Sequence, residues 1–126
     1  MLKRVDPHFV TPSSPFSHVV MDDLYVFLAG IVAADIPGGD AVVGDVRAET
    51  ELIMSTIRKV LQSVELDMDS IVRTDVHLAD LDEITEMDRA YGSFFESGDY
   101  PARTTTQSDK LFGGCRVEIT CTATRR

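Results

Sequence analysis

A chain of 126 residues, 44% apolar and 26% charged, has the length and composition of one globular domain and is too short for two ordinary ones. Twelve Lys and Arg against 21 Asp and Glu leave a net charge of −9, which opposes attraction to phosphate backbones and anionic lipid and excludes nucleic acid as an expected partner. The longest apolar run, Leu24 to Ala34, contains Gly30 and falls far short of the roughly 20 residues that cross a bilayer, so no membrane contact is expected.

Residues 1–15 carry Lys3 and Arg4 without a following apolar stretch, then Pro7, Pro12 and Pro15. They read as an irregular lead-in to a single domain spanning 1–126, not as a secretory signal, and the chain is expected in the cytoplasm. Ser17 to Met21 and Leu24 to Ala33 read as strands joined at the short polar pair Asp22-Asp23, a hairpin. Pro37-Gly38-Gly39-Asp40 breaks the pattern as a loop. From Asp45 the period becomes helical: Val46, Ile53, Ile57, Val60, Leu61 and Val64 form the apolar stripe, with Glu49, Glu51, Arg58 and Lys59 on other faces. Ile71 to Leu78 returns to alternation, with Val72, Val76 and Leu78 on one side and Arg73, Asp75 and His77 on the other.

Asp80 with Glu83 resembles a capping box, and Ile84, Met87, Tyr91 and Phe94 make a second helical stripe ending at Gly98. Arg103 to Ser108 is a Thr-rich strand; a Gly113-Gly114 turn leads to the last strand, Arg116 to Thr124, with Val117, Ile119, Cys121 and Ala123 on one face and Arg116, Glu118, Thr120 and Thr122 on the other. The order β-β-α-β-α-β-β predicts an α+β fold with two helices on one face of a mixed sheet. Cys115 and Cys121 lack ligand spacing and read as reduced thiols, and His8, His18 and His77 are scattered, so no metal is expected.

Two helices cover one sheet face only, yet the second strand is apolar on both, with Leu24, Val26 and Leu28 opposite Tyr25, Phe27 and Ile31. At about 25 cal/mol per Å² of exposed apolar surface, leaving that stripe wet forgoes several kcal/mol, so self-association is expected. A subunit boundary there would place Glu118 in a partly buried polar cleft. Arg103, just after the rigid Pro101, offers a planar fork of donors that matches a carboxylate in a way Lys cannot, which makes a small carboxylate the expected ligand.

Pro101-Ala102-Arg103-Thr104, then Leu111 and Val117-Glu118-Ile119, resembles the C-terminal signature of the YjgF/Rid family, the reactive intermediate deaminases. Ala29-Gly30, Ile71 to Val76 with Leu78 to Leu81, and Met87-Asp88 to Phe95 fall in the same order, and the resemblance covers Phe16 to Arg126. It implies a chorismate-mutase-like fold and a homotrimer whose sheets face each other, with clefts between subunits and no cofactor. Family enzymes hydrolyse enamines and imines of 2-amino acids to 2-keto acids and ammonia. The family's arginine matches Arg103 and its last-strand glutamate matches Glu118. These are the expected catalytic pair: Arg103 fixes the carboxylate and Glu118 holds or deprotonates water.

Phe16, Ala29, Gly30, Ile31 and Thr105 fall where the family lines its cleft. Phe16 stands in place of a tyrosine, Ala29-Gly30-Ile31 in place of Ser-Gly-Gln, and Thr105 where a cysteine is common. Each change removes a hydrogen bond worth about 1 kcal/mol, so carboxylate binding survives better than catalysis. Two expectations follow: an imine deaminase, or a non-catalytic trimer that binds small carboxylates as a sensor. Asp88 and Tyr91 match family positions as well, and read as a solvated carboxylate and a core aromatic.

Overall fold

Alternating and helical segments settle into six strands and two helices in the computed structural model, which describes residues 2–9 and 14–126. They are β1 (Lys3–Val5), β2 (Val19–Met21), β3 (Tyr25–Ile31), α1 (Val46–Ser63), β4 (Ile71–Leu78), α2 (Ile84–Gly92), β5 (Ala102–Gln107) and β6 (Val117–Thr124). One sheet has the order β1-β2-β3-β6-β4-β5, with β4 and β5 parallel and the other pairings antiparallel. The parallel pair needs a crossover, which α2 supplies. Asp22 forms the β2–β3 turn: its carboxylate accepts the backbone N–H groups of Leu24 and Tyr25, both at 2.8 Å, which hold its carboxyl below the usual range.

Both helices cover one face. The buried side of α1, with Ile53, Ile57 and Leu61 fully enclosed, meets Val26, Leu28, Ile119 and Cys121 from the central strands. Asp45 starts α1 by accepting the Ala48 N–H at 3.1 Å. The other sheet face is open in the protomer. Phe27 is 42% exposed there, next to Thr122 of β6, and the row continues to Arg73 of β4. Arg73 bonds Asp75 and Thr104, and His77 bonds Thr106, so the open face is apolar toward β3 and polar toward β5.

Four local readings change. The lead-in contains a short strand, β1, too brief for its alternation to show. A register shift between Ile71 and Arg73 turns Ile71 inward and leaves Val72 42% exposed, reversing Val72's expected side. A similar shift between Leu28 and Ile31 turns Ile31 into the core at 0% exposure. The second helix ends at Gly92, so Phe94 packs on the core from beyond it; Asp80 caps a preceding short 3-10 turn by accepting the Asp82 N–H, while Glu83 meets Arg116 instead of reaching back.

Glu49 departs most from its expected place on an outer helix face, for it is fully buried. One carboxylate oxygen accepts the backbone N–H groups of Arg116 (2.8 Å) and Val117 (3.3 Å), and the other accepts that of Gly44 (2.8 Å). A buried carboxylate is tolerable because three amide dipoles replace its water. The link ties α1 to the start of β6 and so helps to place Glu118.

Cys115 and Cys121 are free and buried. Burial pushes the Cys121 thiol up to about 12 and raises that of Cys115. Because the thiolate is the reactive form, neither thiol should react with a disulfide reagent in native protein at pH 8, and both should react in guanidinium. Rapid native labelling of either would contradict this packing.

Candidate active site

Arg103 sits on β5 opposite Thr74 of β4, and Thr74 is fully buried under the helices, so the arginine leaves the sheet on the helix-covered side. There it meets α2. Its Nη1 donates to an Asp88 carboxylate oxygen at 2.7 Å, and its guanidinium carbon lies 5.0 Å from the centre of the Tyr91 ring. The Tyr91 and Thr74 hydroxyls share a 2.8 Å hydrogen bond beneath, which fixes the ring. Burial raises the Tyr91 phenol, so it stays protonated at neutral pH. Asp88, Tyr91, Gly92, Tyr100, Pro101 and Arg103 line a cleft of about 340 Å³. The Arg103 side chain is 24% exposed. Its Nε and Nη2 have no partner among the described residues and remain available to a ligand. At this exposure the Asp88 pair contributes only about 0.2–1 kcal/mol, too little to keep a carboxylate out.

Glu118 lies on β6 opposite His77 of β4, hence on the open face. Its carboxyl rests directly on Gly30 of β3. A Cβ built on Gly30 would stand 2.8 Å from Glu118 Cδ and 2.9 Å from Oε2, so glycine is what lets the carboxylate lie there. Glu118 makes no hydrogen bond or ion pair with another described residue. Gly30→Ala should displace the Glu118 carboxylate while lowering stability by less than about 1 kcal/mol, because the clash is with the end of a flexible side chain. A crystal structure of the variant with Glu118 unmoved would contradict that.

Arg103 and Glu118 do not meet within a protomer. They leave opposite faces of the sheet, and the register places them three residues apart along the strands, about 10 Å. Phe16, 45% exposed and edge-on to His18, precedes β2, near the other sheet edge. Four strand spacings of about 4.8 Å separate β2 from β5, roughly 19 Å. Ala29 is half-buried beside Gly30, Thr105 is half-buried on β5, and Ile31 is enclosed in the core. The chain thus keeps the expected site residues in two separate groups, one around Arg103 and another around Gly30 and Glu118. Asp88, expected only as a solvated carboxylate, is instead a partner of Arg103: its i, i+3 spacing to Tyr91 puts both on one face of α2, and the crossover brings that face to Arg103. The described residues hold no cluster of three or more His, Cys, Asp or Glu side chains suited to a metal ion.

Comparison with known proteins bears on this geometry. Residues 8–125 match the family profile described as Endoribonuclease L-PSP. The protein DfrA of Myxococcus xanthus is 36% identical over 107 residues, covering 83% of this chain and 81% of that one. The human 2-iminobutanoate/2-iminopropanoate deaminase is 29% identical over 125 residues, covering 98% and 90%. Among solved structures, the yeast protein YEO7 superposes with a TM-score of 0.88 at 24% identity over the whole of both chains. The Rid-family protein YyfA of Yersinia pestis also gives 0.88, at 22% identity over 98% and 99%.

Proposed function

The chain belongs to the YjgF/Rid family, and from that membership we propose that it hydrolyses small carboxylate-bearing imines and enamines to 2-keto acids and ammonia. The observation that carries the reading is the Arg103 guanidinium, seated over Tyr91 in a cleft with its Nε and Nη2 nitrogens unengaged by other described residues. A planar carboxylate fits that fork, and a substrate held there is oriented before any bond changes. The human relative is named for deamination of 2-iminobutanoate and 2-iminopropanoate, which are of this substrate class.

Glu118 is the proposed base. It takes a proton from water as the water oxygen bonds to the imine carbon and the C=N π electrons move to nitrogen. Starting from the protonated imine this gives a neutral carbinolamine; Glu118 returns the proton to its nitrogen and then takes the hydroxyl proton as the C–N bond breaks and ammonia leaves, so that iminium plus water gives ketone, ammonia and one proton, which passes to solvent. Since Arg103 and Glu118 leave opposite faces of one sheet, the working cleft joins the Arg103 side of one protomer to the open face of another, in a homotrimer. Phe27 and Val72, both 42% exposed, are the apolar surface such packing would cover. Phe16, Ala29 and Gly30 then wall the Glu118 side and Thr105 the Arg103 side; no cofactor enters the scheme.

A second reading, a trimer that binds small carboxylates without turnover, draws on one feature. Phe16, Ala29 and Gly30 bring no side-chain hydrogen-bonding group to the Glu118 side, so on that wall a bound water meets only backbone groups. Turnover of 2-iminopropanoate, followed as keto-acid formation in excess of the buffer reaction, separates the two. Acceleration supports the deaminase; saturable carboxylate binding with no acceleration supports the binder.

A further inference from the structure

Arg103 stands on β5, the edge strand, so no further strand flanks its long side chain, and the contacts that hold its guanidinium come from α2. Two contacts of different kinds do this. The Tyr91 ring, anchored through its hydroxyl to the fully buried Thr74, draws the cation over itself, an attraction with little preference for which nitrogen points where. Asp88 supplies the direction. Its carboxylate takes Nη1 at 2.7 Å, which leaves Nε and Nη2 as the one edge with both nitrogens unengaged by described residues. That edge lies on the side of the guanidinium away from Asp88, and its two parallel N–H groups match the two oxygens of a carboxylate. We infer that Asp88 is a positioning residue. It touches no substrate; by holding Nη1 it presents the Nε–Nη2 edge of Arg103 to the ligand, and so sets the direction in which a substrate carboxylate docks.

This rests on the carboxylate-binding reading of Arg103 and adds the group that orients it. The sign of the effect separates orientation from charge. A negative charge beside an arginine by itself weakens anion binding, so its removal tightens every anion. Orientation works the other way for a planar ligand: with Asp88 gone, Nη1 is released, the guanidinium turns among its rotamers over the ring, and a carboxylate must order it again on binding. Only a ligand that uses two N–H groups at once feels that loss, because a spherical anion can take any one of them.

NMR titrations with propanoate and with bromide, at constant ionic strength, on wild type, Asp88→Ala, Asp88→Asn and Arg103→Ala test it. In Asp88→Ala propanoate binding should weaken about threefold to fivefold, the scale of a half-exposed ion pair, while bromide binding holds or tightens. Asp88→Asn, which keeps an acceptor for Nη1, should restore propanoate binding. Tightening of both anions in Asp88→Ala would make Asp88 no more than a neighbouring charge; equal weakening of both, or no change in either, would remove the orienting role. Each of these overturns the inference and leaves Arg103 as the carboxylate site. Propanoate binding that is absent in wild type, or unaltered in Arg103→Ala, overturns the carboxylate reading as well.

Discussion

Arg103→Ala should lower kcat/KM for 2-iminopropanoate at least about 100-fold, because it removes two charge-assisted hydrogen bonds and the orientation they impose. The loss should divide between the two constants. The carboxylate is held in ground and transition states alike, which raises KM, while a substrate free to tumble meets the attacking water less often, which lowers kcat. Arg103→Lys should recover part of KM but little of kcat, since an ammonium restores the charge without the planar fork. The fold should survive both changes: the Arg103–Asp88 pair is partly exposed and worth no more than about 1 kcal/mol, so melting should move by a few degrees at most. Steady-state kinetics beside a thermal melt check this. Equal kcat/KM in wild type and Arg103→Ala would remove the arginine from the site.

Glu49→Ala should have the largest effect on stability of any substitution considered, about 3–5 kcal/mol. It removes three charge-assisted hydrogen bonds, from the N–H groups of exposed Gly44, half-buried Arg116 and buried Val117, and strands the last of these away from water, at about 1–3 kcal/mol for each bond lost. For a chain of this size that corresponds to a fall in Tm of roughly 10–20 °C. Glu49→Gln keeps one acceptor oxygen and should fall between. Glu51→Ala, two residues along the same helix and exposed, should change stability by less than about 0.5 kcal/mol. Thermal melts of the three variants decide it; a Glu49→Ala melt matching Glu51→Ala would mean the carboxylate is not a structural pin.

The contrast between Glu49 and Ile31 shows how far the residue pattern reaches. Helical periodicity located α1 from Val46 onward and alternation located β4 and β6, because burial of one face repeats at the period of the element. Glu49 carries the residue type of the wet face and is nonetheless enclosed, since the amides it satisfies come from Gly44 and from the start of β6, 67 residues downstream. No local pattern encodes that meeting. A strict period of two puts Ile31 and Val72 on the wrong faces, and in both cases a single register shift reverses the side.

Within the candidate site, Arg103 and Glu118 were legible because Pro101 to Thr104 and Val117 to Ile119 carry a family signature. Their placement on opposite faces was not, for it depends on β5 running parallel to β4 as the sheet edge. The alternation within β6 was already visible, yet it says nothing of which way β5 points its residues. Asp88 was readable as a surface acid and became a partner of Arg103 only once the crossover brought α2 over β5.

The central claim is that a working cleft takes its arginine from one protomer and its glutamate from the next. Co-refolding equal amounts of Arg103→Ala and Glu118→Ala chains, each inactive alone, tests it. Random assembly leaves about a quarter of the interfaces with both native residues, and the mixture should regain about a quarter of wild-type turnover. A mixture as inactive as either parent would mean that one chain must supply both residues, which contradicts the shared cleft.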